Sequence, residues 1–285
     1  MARVSVVVRA RDDEGVVGRT LEGIFAQEGA PEFEVLFCDD GSRDRTREVA
    51  AGFPVRFVAR PAGAYMPGRT LNALAREAEG DVVVFNNSDA VPVGKDWLKE
   101  LTAPLLAVPE KARATFANQL PRADALASVR RDHACAFGDG KEQSKWRFFF
   151  SLASAATWKR LLEAWPFDEG IRYSEDVAWA WRNSRREEGV LEVVYCPGAR
   201  VEHSHNYTLR ELARRFRGEG VSDRVIFGDR PSLARELAGA GAATLRDWAW
   251  MARRPAAWGE IPGAAVRRLV QRMAHWRGTR EGVGK

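Results

Sequence analysis

Residues 82–85 read Val-Val-Val-Phe, an apolar run with no polar alternation that breaks at once into Asn86-Asn87-Ser88-Asp89. A strand without alternation has to be covered on both faces, which is the position of a strand inside a parallel sheet packed between helices. Comparable runs stand at Val4–Val8, Glu34–Cys38 and Val55–Ala59. Between them the apolar residues change to a helical period, with Leu21, Ile24 and Phe25 on one stripe and Leu71, Leu74, Ala75 and Ala78 on another. Alternating strands and helices predict an α/β fold with a mostly parallel sheet. Past residue 110 the candidates Ala114–Asn118, Phe148–Leu152, Glu192–Cys196 and Arg200–Glu202 are spaced less regularly, so a mixed sheet is expected there.

At 285 residues the chain has room for one large α/β domain and an extension. The predicted partition is an α/β domain over 1–205, with halves at about 1–110 and 111–205, and a helical extension over 206–285. Cys38, Cys135 and Cys196 show no Cys-x-x-Cys spacing, which argues against a disulfide framework or a zinc ribbon. Met1-Ala2-Arg3 leads straight into a strand-like run, and no apolar stretch approaches the ~18 residues a membrane span needs. A cytoplasmic location with reduced cysteines is therefore expected.

The net charge of +5 is uneven: residues 206–285 hold 16 Lys/Arg against 8 Asp/Glu, leaving 28 against 31 for residues 1–205. Within this basic tail, Thr208-Leu209-Arg210-Glu211 is a capping-box pattern that predicts a helix from Leu209. Val266, Leu269, Val270 and Met273 form a stripe opposite Arg267, Arg268, Gln271 and Arg272, with Trp276 close by. That layout suits a helix at a membrane surface, and equally one packed on its own domain. No recognised nucleic-acid-binding pattern accompanies the basic charge, and no nucleic-acid partner is expected.

Several polar clusters carry chemistry. Asn87 and Asp89 at the end of an apolar strand suit a divalent cation that also holds phosphates, or simply a strand-to-loop turn. Cys38-Asp39-Asp40-Gly41-Ser42 places two acids at another strand end. Such a carboxylate can accept the imide N–H of uracil or thymine, while the alternative is an Asx turn with a helix cap. Ser174-Glu175-Asp176 reads as a helix start with two acids in its first turn. His203 and His205 are spaced to face the same way if they lie on a strand.

Val4–Val8 with Arg9-Ala10-Arg11, then Asp39-Asp40-Gly41-Ser42-Arg43-Asp44-Arg45-Thr46, then Asn87-Ser88-Asp89, in this order and spacing, resemble the nucleotide-binding half of the family-2 inverting glycosyltransferases with the GT-A fold. Phe167-Asp168-Glu169 followed by Glu175-Asp176 is similar to the acceptor-side signature of that family. The reduced Asn87-Ser88-Asp89 triplet, Asn118–Asp124 and Arg130–His133 look like the rhamnosyltransferase branch.

The resemblance implies that Arg9, Arg11, Glu14, Asp39 and Asp40 hold the nucleoside, that Gly68, Arg69 and Asn72 lie against ribose and phosphates, and that Asn87 and Ser88 flank the donor. It implies Asp89 as principal metal ligand with His203, or next His205, completing the site. Mn²⁺, which tolerates imidazole, is then at least as suitable as Mg²⁺. Asp176 becomes the catalytic base and Glu175 a contact to acceptor hydroxyls. The implied donor is a dTDP-L-rhamnose-like or UDP-sugar, and the acceptor a glycan, a lipid-linked intermediate or a small molecule. Two alternatives stand beside it: a degenerate relative serving as a binding module, motivated by Asn87, and a sugar-nucleotidyl transferase, whose phosphate loop the run Arg9–Gly15 fits poorly. The oligomeric state is not specified by any of these features.

Overall fold

The computed structural model describes residues 3–138, 149–187 and 189–281. The chain divides into two compact units, the first made of Met1–Leu120, Ala136–Gly170 and Glu175–His203, the second of Pro121–Cys135, Ile171–Ser174 and Ser204–Lys285.

The first unit is an eight-stranded sheet flanked by helices. Its strands are β1 (Val4–Ala10), β2 (Phe33–Asp39), β3 (Arg56–Phe57), β4 (Val82–Asn87), β5 (Val91–Pro92), β6 (Arg113–Leu120), β7 (Ser154–Trp158) and β8 (Glu192–Glu202). They lie in the order β3-β2-β1-β4-β7-β6-β8-β5. The β3-β2-β1-β4 half is parallel throughout, whereas β7 runs antiparallel to both neighbours and β5 antiparallel to β8. The expected parallel half and mixed half are both present. In β1 and β4 all valines are buried, which is why neither strand alternates.

Three strand expectations are corrected. The run at 55–59 pairs only at Arg56 and Phe57, because it forms the sheet edge with a single neighbour, β2. Of the run placed at 148–152, Phe148 lies outside the described residues, and 149–152 is not strand; the strand forms at Ser154–Trp158. Phe149 and Phe150 instead pack against Phe116, while the small Ser154, Ala155 and Ala156 fit the buried strand between β4 and β6. The two runs at 192–196 and 200–202 are one strand, interrupted where the pairing of β6 jumps from Cys196 to Arg200.

The helices of this unit are α1 (Val17–Phe25), α2 (Thr46–Ala50), α3 (Pro67–Glu77), α4 (Trp97–Leu106), α6 (Lys159–Ala164) and α7 (Glu175–Asn183); α5 (Ala127–Ala136) falls almost wholly in the second unit. Trp179 on α7 is core, wedged between Phe150 and Phe167 with its indole N–H donated to the Trp165 carbonyl.

The second unit is helical: α8 (Leu209–Phe227), α9 (Leu233–Ala252) and α10 (Ile261–Gly278), with α5. Thr208 and Glu211 form the predicted reciprocal capping box on α8, and Gly228 closes that helix in a left-handed conformation. Gly220 of α8 lies against the His275 carbonyl and Gly278 of α10 against the Arg217 carbonyl, so a side chain at either would clash with backbone. The arginine face proposed for α10 is not all outward: Arg268 is buried, held by Asp247 and Asp132, while Val266 and Leu269 are exposed. Burial works against that guanidinium's charge, but its hydrogen bonds to the two carboxylates prevail and hold its pKa above the usual value. No helix among the described residues is long and apolar enough to cross a membrane.

Candidate active site

The parallel register brings the polar strand ends of the first unit to one edge. Arg9 on β1 pairs with Cys38 and Asn87, and Ala10 with Asp39, so the carboxyl ends of β1, β2 and β4 stop together. Ligands of α/β sheets gather at such an edge.

Arg9 is the hub of this edge. Its guanidinium donates to Tyr65 Oη at 3.1 Å and to Asn87 Oδ1 at 3.3 Å, and lies 3.9 Å from Glu175 Oε1. Asn87 therefore shows its carbonyl oxygen to a cation, and the negative charge opposite Arg9 comes from Glu175. Burial raises the pKa of the Tyr65 phenol, although the Arg9 charge works the other way, so Tyr65 remains a neutral donor and acceptor at the site.

Asp39 accepts hydrogen bonds from the Ser42 hydroxyl and backbone, closing the tight turn that Gly41, at φ +76°, makes possible. Asp40 is gripped by Arg60 at 2.7 Å and Arg11 at 3.4 Å. The Asx-turn reading is thus realised at Asp39, while Asp40 is oriented by two arginines. Arg11 is otherwise exposed, and Glu14 accepts from the Arg45 backbone N–H at 2.9 Å, tying the loop after β1 to the start of α2.

Asp89 and His203 meet because β5 pairs antiparallel with the end of β8, Val91 opposite Glu202. Asp89 Oδ1 lies 3.5 Å from His203 Nε2, both side chains largely buried. The other ring nitrogen, Nδ1, is 2.9 Å from Gln119 Oε1, and Gln119 Nε2 donates to Ser151 Oγ at 2.7 Å. Gln119, spending an amide N–H on Ser151, turns its carbonyl oxygen to Nδ1, which leaves Nε2 as the ring atom directed at the Asp89 carboxylate. A nitrogen and oxygen pair with its imidazole oriented from behind is a donor set that suits a divalent metal. His205 belongs to the second unit, its ring stacked on Tyr207.

Asp176 accepts from Leu152 N at 3.2 Å and from Val177 N at 2.8 Å. Since Asn87 N donates to the carbonyl of the adjacent Ala153, the base candidate is braced against the same segment as the end of β4.

Three candidates are engaged within the protein itself. Ser88 is buried, donating to Asp13 and accepting through its carbonyl from Thr20 Oγ1. Asn72 is buried with its amide bonded both ways to Phe167 and also to Glu169, and Gly68 sits where any side chain would strike the Asp168 carbonyl. Asn72 and Gly68 lock α3 to the Phe167–Glu169 segment. Arg69, in the first turn of α3, is exposed.

Residues that the linear reading missed are the supports. Asn86 donates to the carbonyls of Asn87 and Ala90, fixing the turn that carries Asp89. Asp13 accepts from Ser88 and from the Arg11 N–H; burial raises its pKa, with Asp89 and Asp44 adding repulsion. Arg60 and Tyr65, which nothing on the sequence marks, complete the set with Gln119, whose run Asn118–Asp124 carries the branch likeness but no chemical role on the sequence.

The profile of glycosyl transferase family 2 matches residues 5–111. O-antigen chain rhamnosyltransferase WbaN of Salmonella anatum is 30% identical over 226 residues, spanning 75% of this chain and 68% of that one. The chain belongs to glycosyl transferase family 2. Among solved structures, mannosyltransferase PcManGT from Pyrobaculum calidifontis in complex with GDP-Man and Mn²⁺ matches with a TM-score of 0.65 at 20% identity, covering 98% of this chain and 86% of that one. Glucosyl-3-phosphoglycerate synthase from Mycobacterium tuberculosis in complex with Mn²⁺, UDP and glucosyl-3-phosphoglycerate matches at 0.58 and 20% identity, over 79% and 80%. The fold is GT-A, and this family-2 member is an enzyme of the transferase class that acts as a glycosyltransferase. The nucleotidyl-transferase alternative falls with that membership.

Proposed function

We propose that this glycosyltransferase moves a sugar from a nucleoside-diphosphate donor to an acceptor hydroxyl in a single displacement that inverts the anomeric carbon. The observation that carries the reading is the Asp89–His203 pair, His203 Nε2 lying 3.5 Å from the Asp89 carboxylate beside the carboxyl ends of β1 and β4. Asp89 and His203 would hold Mn²⁺ or Mg²⁺, with His205 the next candidate. When bound, the ion offsets the charge that develops on the leaving diphosphate.

The chain's own side chains do the rest. Asp39 and Asp40, preset by Ser42 and by Arg60 and Arg11, accept the imide N–H of a uracil or thymine base. Arg69 at the amino end of α3 faces donor phosphate. Asp176, held by two backbone N–H donors, takes the proton of the attacking hydroxyl, and Glu175 orients the acceptor. The likeness to a rhamnosyltransferase supports a dTDP-L-rhamnose-like donor, with UDP-sugars second, and a glycan or lipid-linked acceptor on the cytoplasmic side.

Thermal-shift and calorimetric titration with UDP-, dTDP- and GDP-sugars, with and without Mn²⁺, tests this. One donor class should stabilise the wild type in a Mn²⁺-dependent way, and Asp89→Ala should lose the metal-dependent part. Unchanged donor affinity in Asp89→Ala with Mn²⁺ present would remove Asp89 from the metal site.

A further inference from the structure

Of the ten exposed large apolar side chains among the described residues, nine lie between Leu209 and Leu269, in the second unit. Four of them, Leu233, Leu237, Leu245 and Trp248, stand on α9, and with the exposed Gly241 they recur at helical spacing along one stripe. The stripe is outward: Leu245 is 64% exposed, while both acids of the helix, Glu236 and Asp247, are buried. Arg272 meets Glu236, and Arg268 with Arg131 meets Asp247. α9 is thus inverted relative to an ordinary surface helix, with its carboxylates inside and its leucines outside.

The remaining charges on its outer side all have one sign. Arg235 and Arg246 are exposed, and Arg253 follows at the C-cap. Eleven and then seven residues separate them, which puts all three close to one line along the helix, separated from the apolar stripe by roughly a quarter turn. Ala234, Ala238, Ala242 and Ala249 fill the space between leucines and arginines. Exposed Trp258 lies shortly beyond.

We infer that α9 lies on an anionic lipid surface, with its leucine and tryptophan stripe in the headgroup and acyl boundary and its arginine row on lipid phosphates. Charge decides this occupant against a second copy of the chain. An antiparallel two-fold pairing of α9 faces would bring the two arginine rows to the same side, and in either direction no exposed carboxylate on the helix answers them, whereas anionic headgroups supply the opposite charge. Tryptophan and arginine beside leucine is also the composition of interfacial helices. The inference rests on α9 alone and does not depend on the reaction proposed above.

Vesicle flotation of the full-length protein tests it, using phosphatidylcholine vesicles with and without phosphatidylglycerol. Wild type should float with the anionic vesicles and much less with phosphatidylcholine alone. Leu237→Gln/Leu245→Gln should lower the partition coefficient about tenfold, and Arg235→Gln/Arg246→Gln should lower it about tenfold on anionic vesicles only. All four side chains are exposed, so the thermal midpoints of the variants should match wild type. Failure of the wild type to float with anionic vesicles would overturn the inference, as would flotation of the leucine variant at the wild-type level. A dimer in sedimentation that the leucine pair abolishes, without vesicle binding, would assign the face to a second copy instead.

Discussion

In the first unit β1 and β4 bury Val4, Val6, Val82 and Val84 completely, and ionisable side chains collect at the carboxyl ends of those strands; in the second, Asp247 and Arg268 take interior positions while Leu237, Leu245 and Val266 face outward. Both arrangements are ordered, but by different forces. Apolar burial contributes roughly 25 cal/mol per Å² without regard to direction, so a sheet stabilised that way can leave its charged groups at the edge for chemistry. Buried ion pairs contribute little net stability, yet they fix which faces of two helices meet, because either charge alone would be very costly inside. The second unit therefore has its helix register set by arginine–carboxylate pairs, and its apolar side chains remain available for something outside the protein.

The sharpest test of the chemical edge is Asp176→Asn. Transfer should fall by about 10²–10⁴, the range of general-base catalysis, while nucleotide affinity stays near wild type. Wild-type turnover in that variant would show that the carboxylate braced by Leu152 and Val177 is not the base.

Next in size is the removal of one buried charge. Asp247→Ala should cost about 3–5 kcal/mol by leaving Arg268 and Arg131 unpaired. Val84→Ala in β4 should cost nearer ~2 kcal/mol by leaving a small cavity. Urea unfolding measures both, and if Asp247→Ala proves milder than Val84→Ala, the contrast between the two units is wrong.

Gln119→Leu should weaken Mn²⁺ binding by about 10–100-fold, as loss of a group that orients a metal-bound histidine does. Calorimetry with Mn²⁺ alone reads it. Metal affinity equal to wild type would mean that Gln119 does not orient His203 for the metal.

The smallest effect is a pH dependence in the second unit. The Asp223 hydrogen bond raises the pKa of His275 above its ordinary 6.5, although burial works the other way. A raised histidine pKa gives stability that is complete below the unfolded value and fades as pH rises through the folded value. The thermal midpoint of wild type over His275→Gln should thus be largest on the acid side of 6.5 and shrink as pH rises above it, through the raised folded value. An unchanged difference would show that the pair does not titrate in this window.

The strands β1, β2 and β4 could be read from their apolar runs, and α8 from its capping box, because both signals are local. So was the Asp39–Ser42 turn, whose Gly41 is required by backbone geometry. The aromatic run before β7 has the pattern of a strand, yet Phe149 and Phe150 satisfy the same core from a loop. Asn72 is bonded to Phe167 on both sides of its amide, a contact that no periodicity announces.

By itself the sequence determined the parallel half-sheet, the strand ends that carry Asp39, Asp89 and Asn87, and the helix start that holds Glu175 and Asp176. Each depends on neighbours within a few residues, where backbone sterics and apolar period suffice. Only the tertiary structure decided that Asp89 faces His203, that Gln119 turns the imidazole, that Arg9 joins Asn87 to Glu175, and that α9 hides its acids and shows its leucines. A helix or strand pattern states which residues share a face, but which face is turned inward depends on partners far away in the chain; Arg268 and Arg131 supply them for Asp247, and the β5–β8 register supplies one for Asp89.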